Sequence, residues 1–189
     1  MKAIGLALLW FLIAIVATVV FFVALIFGIF ALTYYGDELQ YPKFRAEWIY
    51  TRNEEAFNTV AQYINDFDFS PYEANLKHSP AISIYPPDSL TEDEEYRMDI
   101  SNQYEEAFVT ITDKKVNLAL TQLFDTIKME SIIQSSNKDT RTILFSFAYS
   151  VGIAYSPDGE QPEFGVDDRD YWFKRINDNW FYWTGHWLD

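Results

Sequence analysis

Residues 3–36 contain no charged side chain, and this run constrains the chain more than any other feature of it. It reads AIGLALLWFLIAIVATVVFFVALIFGIFALTYYG, 34 positions long. A helix needs about 20 apolar residues to cross about 30 Å of hydrocarbon. The run therefore predicts one transmembrane helix over about residues 3–35, with the bilayer as its partner. Two crossings are not expected, because Val16 to Phe21 offers no Gly, Pro or Asn for a turn. Trp10 and the pair Tyr34-Tyr35 stand about 24 residues apart, or about 36 Å of helix, a separation that suits aromatic anchors at both interfaces.

A cleaved signal peptide fits less well. Its apolar core is about 7–15 residues, and no A-x-A site follows this run. The tail before the helix, Met1-Lys2, is that of an uncleaved signal-anchor. Lys43, Arg45 and Arg52 follow the helix, so the basic residues are nearly balanced across it. The short tail decides for an N-terminus inside and a C-terminal domain outside the cytoplasm. The absence of cysteine excludes a disulfide framework, a thiol nucleophile and Cys-type zinc sites.

Beyond this anchor (residues 1–36) the sequence predicts a connector over 37–50, with Pro42 breaking it, and a domain over 51–189. Asp37 to Asp189 carries 13 basic and 28 acidic residues, a net of −15. That excess argues against nucleic acid, whose phosphates demand cations. The segment also holds 27 of the chain's aromatic residues, too many for a disordered acidic tail.

Thr51 to Glu55 opens a helix, with Thr51 or Asn53 as cap and Phe57, Val60, Ala61 and Ile64 as its apolar stripe. Ala81 to Tyr85 predicts a strand stopped by Pro86-Pro87. Thr91 to Glu94 matches a capping box, and Tyr96, Ile100, Tyr104, Ala107, Phe108 and Ile111 follow at helical spacing, although Phe108-Val109-Thr110-Ile111 also has β-propensity and leaves that end open to a strand. Asp113 caps a further helix with Val116, Leu120 and Leu123. After Asp125 the period becomes two: Ile127, Met129, Ser131 and Ile133 alternate with polar neighbours, and Asn137 to Asp139 reads as a turn. Arg141 to Ala154 is a long β-rich run, with Gly152 marking a bulge. Ser156-Pro157-Asp158-Gly159 has type I turn preferences. Two strands, Asp170–Ile176 and Trp180–Gly185, joined by Asn177-Asp178-Asn179, close the chain. Helices first and meandering strands after predict an α+β fold, with helices packed on an antiparallel sheet.

No phosphate loop, HExxH or GxSxG occurs. His78 and His186 cannot supply a three-His centre. The acidic groups Glu92–Glu95 and Glu105-Glu106 read as solvated helix faces, and Asp167-Asp168 with Asp170 lacks the spacing of a calcium loop. No catalytic, cofactor-binding or metal-binding residue is assigned, and no cofactor is expected.

The least ordinary feature is the C-terminal hairpin, DYWFKRINDNWFYWTGHW. A two-residue turn at Asp178-Asn179 would pair Arg175 with Tyr182, Phe173 with Thr184 and Tyr171 with His186. Tyr171, Phe173, Arg175, Trp180, Tyr182 and His186 would then share a face of rings, polar tips and a cation, the composition of a partner or ligand surface. A one-residue change in loop length would exchange the faces. The expected function is therefore binding by an anchored extracytoplasmic module, with another membrane protein or an envelope polymer as partner, rather than catalysis. Two alternatives stand: a cell-wall hydrolase using paired carboxylates, and an accessory subunit of a membrane complex. The domain's negative charge is expected to hold it away from anionic headgroups at low salt.

Overall fold

The computed structural model describes residues 2–68, 70–73, 81–86, 95–101, 106–134, 141–162 and 169–187. For residues 2–9, 12, 30, 33, 34, 73, 169, 170, 186 and 187 it describes the backbone alone. The capping box at 91–94, His78, Tyr104, the turn at 137–139 and Asp167-Asp168 lie outside the described residues. The chain divides into two compact units, Met1–Gln40 and Tyr41–Asp189.

The first unit is one unbroken helix, α1 (Lys2–Gln40). Nothing in its sequence removes a backbone donor, since Pro42 comes only after it. Thr18 turns its hydroxyl back onto the Ala14 carbonyl at 2.8 Å, which satisfies that polar group within the helix. Residues 13–29 are the longest stretch of α1 whose side chains are all described. Over the described residues, no helix is long and apolar enough to cross a membrane.

The second unit is an α+β domain built on one eight-stranded antiparallel sheet. Its strands are β1 (Ala81–Ile84), β2 (Arg97–Ser101), β3 (Glu106–Thr110), β4 (Ser131–Gln134), β5 (Ile143–Ala148), β6 (Val151–Tyr155), β7 (Arg169–Arg175) and β8 (Trp180–Trp187). They lie in the order β3-β2-β1-β4-β5-β6-β8-β7. Helices α2 (Lys43–Arg52), α3 (Glu54–Asn65) and α5 (Lys114–Thr121) contribute to the main core, and α4 (Ser70–Glu73) is a single turn.

Helix α3 forms where its apolar stripe requires. Phe57, Val60, Ala61 and Ile64 are all buried, and Glu54 and Glu55 occupy the first turn, where the helix dipole favours negative charge. Asn53 is the cap residue, but its side chain does not cap: its amide donates to Ile49 O at 2.7 Å, and its Oδ1 accepts from Gln122 Nε2 at 2.7 Å. Lys43–Arg52, which overlaps the expected connector and runs into the expected domain, is helical and buries Ala46, Ile49 and Tyr50. Thr51 belongs to this helix and bonds the Glu47 carbonyl.

Asp113 does cap α5. Its Oδ1 accepts from Lys115 N at 2.8 Å and Val116 N at 3.1 Å, and Val116, Ala119 and Leu120 are buried behind it. Asp113→Ala should cost about 1 kcal/mol, and Asp113→Asn much less, because asparagine caps nearly as well. Urea unfolding of the detergent-solubilised chain reads this directly: equal losses for the two variants would show that the capping bonds are not what matters.

The helix expected from Tyr96 to Ile111 is not formed: the segment makes β2 and β3 instead. Met98 and Ile100 are fully buried, while Arg97, Asp99 and Ser101 alternate with them. Burying every second residue in a sheet satisfies both the apolar side chains and the backbone, which outweighs helical spacing over so short a segment. Asn117, from α5, fixes the pair by accepting from Tyr96 N at 3.1 Å and donating to Ile111 O.

The strand expected from Ile127 begins only at Ser131. A π-helical turn, Gln122–Thr126, closes on Ile127 N, and Lys128 has φ 63°. Arg141 to Ala154 is a hairpin rather than one run, turning at Tyr149-Ser150. The register irregularity lies between Ser146 and Ala148, opposite Gly152 rather than at it.

One face of the sheet carries the main core. Ile82, Met98, Ile100, Ile132, Ile143, Phe145, Phe147, Ile153, Trp180 and Tyr182 share it with Phe57, Val60, Ile64, Leu120 and Leu123. Residues of the opposite parity form a second, smaller cluster of Leu144, Ala154, Phe181 and Trp183, with Tyr171 and Phe173 packed against it.

Candidate interaction surface

The C-terminal hairpin pairs one residue away from the expected register. Arg175 faces Phe181, Phe173 faces Trp183 and Tyr171 faces Gly185. Ile176 N bonds Trp180 O at 2.8 Å, so the loop is the three residues Asn177-Asp178-Asn179. Asn177 sets this length: its Oδ1 accepts from Asn179 N at 3.2 Å and Trp180 N at 3.1 Å, while its amide donates to Tyr50 Oη at 3.1 Å.

Five of the six candidate residues are consequently divided between the two faces. Trp180 and Tyr182 face the main core, each at most 5% exposed. The Tyr182 hydroxyl donates to Tyr41 O at 3.1 Å. Tyr171 and Phe173 lie half-buried over the second cluster, their rings stacked 6.5 Å apart, with Tyr171 5.8 Å from the Trp183 ring. His186 pairs with Asp170 in the ladder, and its side chain is outside the described residues.

Arg175 shares the face of Tyr171 and Phe173, but its guanidinium is committed within the fold. Nη1 donates to Asp178 O at 2.8 Å, Nη2 donates to Gly159 O at 2.8 Å, and the group lies 4.7 Å over the Phe181 ring. Together with Asn179, whose amide reaches Ser156 O and Pro157 O, it laces the hairpin loop to the Ser156–Gly159 turn. That turn is closed by Gly159 N to Ser156 O at 3.0 Å, with Gly159 at φ 72°. The Ser156 hydroxyl and Glu160 N both donate to Asp158 and hold its carboxyl below the usual range.

Burial pushes the Tyr50 hydroxyl up to about 12; the Asn177 amide opposes this and Glu54 adds to it. Burial likewise raises the Asp99 carboxyl, helped by Glu106 and opposed by Arg97. Asp99 lies on β2, opposite Phe108. It is not part of the open groove of about 360 Å3 lined by Glu54, Glu55, Asn58, Thr59, Gln62 and Lys115. Across that groove Lys115 pairs with Glu55 at 3.5 Å, both well exposed. Among the described residues no cluster of His, Asp and Glu could hold a metal ion.

The surface absent from the sequence reading is the outer side of α2. Phe44 is 74% exposed and Trp48 56%, one turn apart. Arg45, Thr51 and Arg52 are exposed beside them, and Arg52 lies 4.4 Å over the Trp48 ring. The legible signal was Ala46, Ile49, Tyr50 and Asn53 at helical spacing, which turns positions 44, 48, 51 and 52 to the other side.

No protein-family model, curated protein or solved structure matches this chain.

Proposed function

We propose that the chain is a single-pass membrane protein whose acidic α+β domain lies outside the cytoplasm and acts by binding. One observation carries the membrane part: the whole uncharged run 3–36 lies inside the unbroken helix α1. Such a helix satisfies its own backbone, as a bilayer requires. At about 1.5 Å per residue it is longer than the hydrocarbon core, so it tilts or projects. Of its described side chains, Trp10, Phe11, Phe21, Ile26, Phe27 and Leu32 are all more than 60% exposed, which suits a lipid surround.

Binding is favoured over hydrolysis because, among the described residues, the raised carboxyl of Asp99 and the described groove do not coincide. Anchoring raises the domain's effective concentration near membrane-bound or envelope partners, so weak contacts become useful. Protease protection tests the arrangement. Digestion of the domain in intact cells, with protection in inverted vesicles, is the expected result. The reverse pattern would put the domain in the cytosol and remove envelope polymers as partners.

A further inference from the structure

We propose that the outer side of α2 is a foot for the lipid interface, on which Phe44 and Trp48 enter the headgroup layer and Arg45 and Arg52 meet anionic phosphates. The proposal rests on the membrane-anchored reading above. Two large aromatic side chains stand exposed one turn apart in the domain's first helix. Buried Ala46, Ile49 and Tyr50 occupy the opposite side, so these rings cannot turn inward without unpacking α2. Phe and Trp beside arginines are the composition of helices that lie in the headgroup region, where the indole is amphipathic and the guanidinium snorkels.

Chain reach allows this placement in an anchored protein. Four helical residues and then three Cα steps separate Gly36 from Lys43, so α2 begins within about 17 Å of the end of the uncharged run. Within α2 itself the cations are Lys43, Arg45 and Arg52 and the acid is Glu47, which pairs with Lys43 at 3.1 Å. Asp37 and Glu38 before the helix and Glu54 and Glu55 after it are acidic, as is the domain at large. The attraction is therefore confined to this one side of α2, and repulsion elsewhere tips the rest of the domain outward. This refines the expected posture: the body is repelled by anionic lipid while its foot is held.

The chain has no cysteine, so a single introduced thiol is a unique reporter. Thr51→Cys, on the foot face but sparing both rings, and Leu118→Cys, exposed on α5, would each carry an environment-sensitive dye in the full-length chain. The vesicles would be phosphatidylcholine with phosphatidylglycerol, with or without a lipid-borne quencher. Quenching at position 51 should exceed that at 118 by about twofold or more, the separation expected for a face set into the headgroups. Adding Phe44→Ser and Trp48→Ser should bring position 51 down to the level of 118. Equal quenching at both positions in a chain that floats with vesicles overturns the foot and leaves the anchor standing. A chain that fails to float overturns the anchor itself. A blue-shifted dye at 51 without lipid quenching would mean that protein covers this face, and also overturns the proposal.

Discussion

Trp180→Ala should destabilise the domain by about 4 kcal/mol, within the range for deleting a buried aromatic ring. Trp180 is 2% exposed and sits where the helices meet the sheet. Its ring lies 4.9 Å from Tyr50, 5.0 Å from Tyr155, 5.4 Å from Phe145 and 5.8 Å from Phe57. These neighbours come from α2, α3, β5 and β6, so no single element can collapse into the space. The indole N–H donates to Asn58 Oδ1 at 3.1 Å, and the backbone N–H closes the loop by donating to Asn177 Oδ1 at 3.1 Å. Trp180→Phe keeps most of the packing and loses that indole bond, for about 1–2 kcal/mol. Urea unfolding of the solubilised full-length chain, followed by near-ultraviolet circular dichroism, separates the two. A loss below about 1 kcal/mol for alanine would mean that these five rings are not what joins helices to sheet. A domain of this size has about 5–15 kcal/mol in all, so the alanine variant should also express poorly.

The same residue shows what could be read from sequence. Trp180 and Tyr182 stand out as aromatic, but which way they face depends on whether the loop holds two residues or three. The loop length is set by Asn177, whose amide also reaches Tyr50, 127 positions away. No local pattern contains that contact, so a favoured two-residue turn displaces every pair by one and gathers Trp180 and Tyr182 with Tyr171, Phe173 and Arg175, which the fold divides. Helix α3 was legible because every position of its stripe, Phe57, Val60, Ala61 and Ile64, is apolar and two Glu mark its first turn. Asp113 was legible because a cap acts on its own next residues. The segment 96–111 was misread because Ile100, Ala107 and Ile111 satisfy helical spacing while Met98 and Ile100 satisfy strand alternation, and the choice falls to neighbours β1 and α5. Arg175 reads as an available cation, yet Gly159 and Asp178 carbonyls occupy its donors once the two turns meet. Helix α2 was hidden because it follows a proline with no side-chain cap and no acidic first turn to announce it, and its stripe includes Asn53.

The second large effect is expected at Gly152. Glycine in a strand ordinarily gives up stability, so alanine in its place ordinarily improves it. Here Gly152→Ala should instead cost about 2–3 kcal/mol, as over-packing does. A Cβ at this position would fall on the Phe145 carbonyl and within 2.7 Å of Trp183 Nε1. Gly152 pairs with Trp183 across β6 and β8 and with Ser146 across β5 and β6, next to the irregularity at Ser146 and Ala148. The carbonyl belongs to the central sheet and cannot retreat without breaking the ladder, whereas an indole can tilt. The indole is itself an unusual neighbour: it is 2% exposed, and its N–H has no hydrogen-bond partner among the described residues. Trp183→Phe therefore removes an unsatisfied donor along with part of a ring, and the two effects oppose each other, for a net loss below about 1.5 kcal/mol. The double variant, Gly152→Ala with Trp183→Phe, tells the two contacts apart. If the carbonyl dominates, the glycine substitution costs nearly as much in the phenylalanine background, and the losses add. If the indole dominates, most of the cost disappears there, because the atom it met is gone. We expect additivity to within about 0.5 kcal/mol, since backbone in a paired strand yields far less than the edge of a side chain.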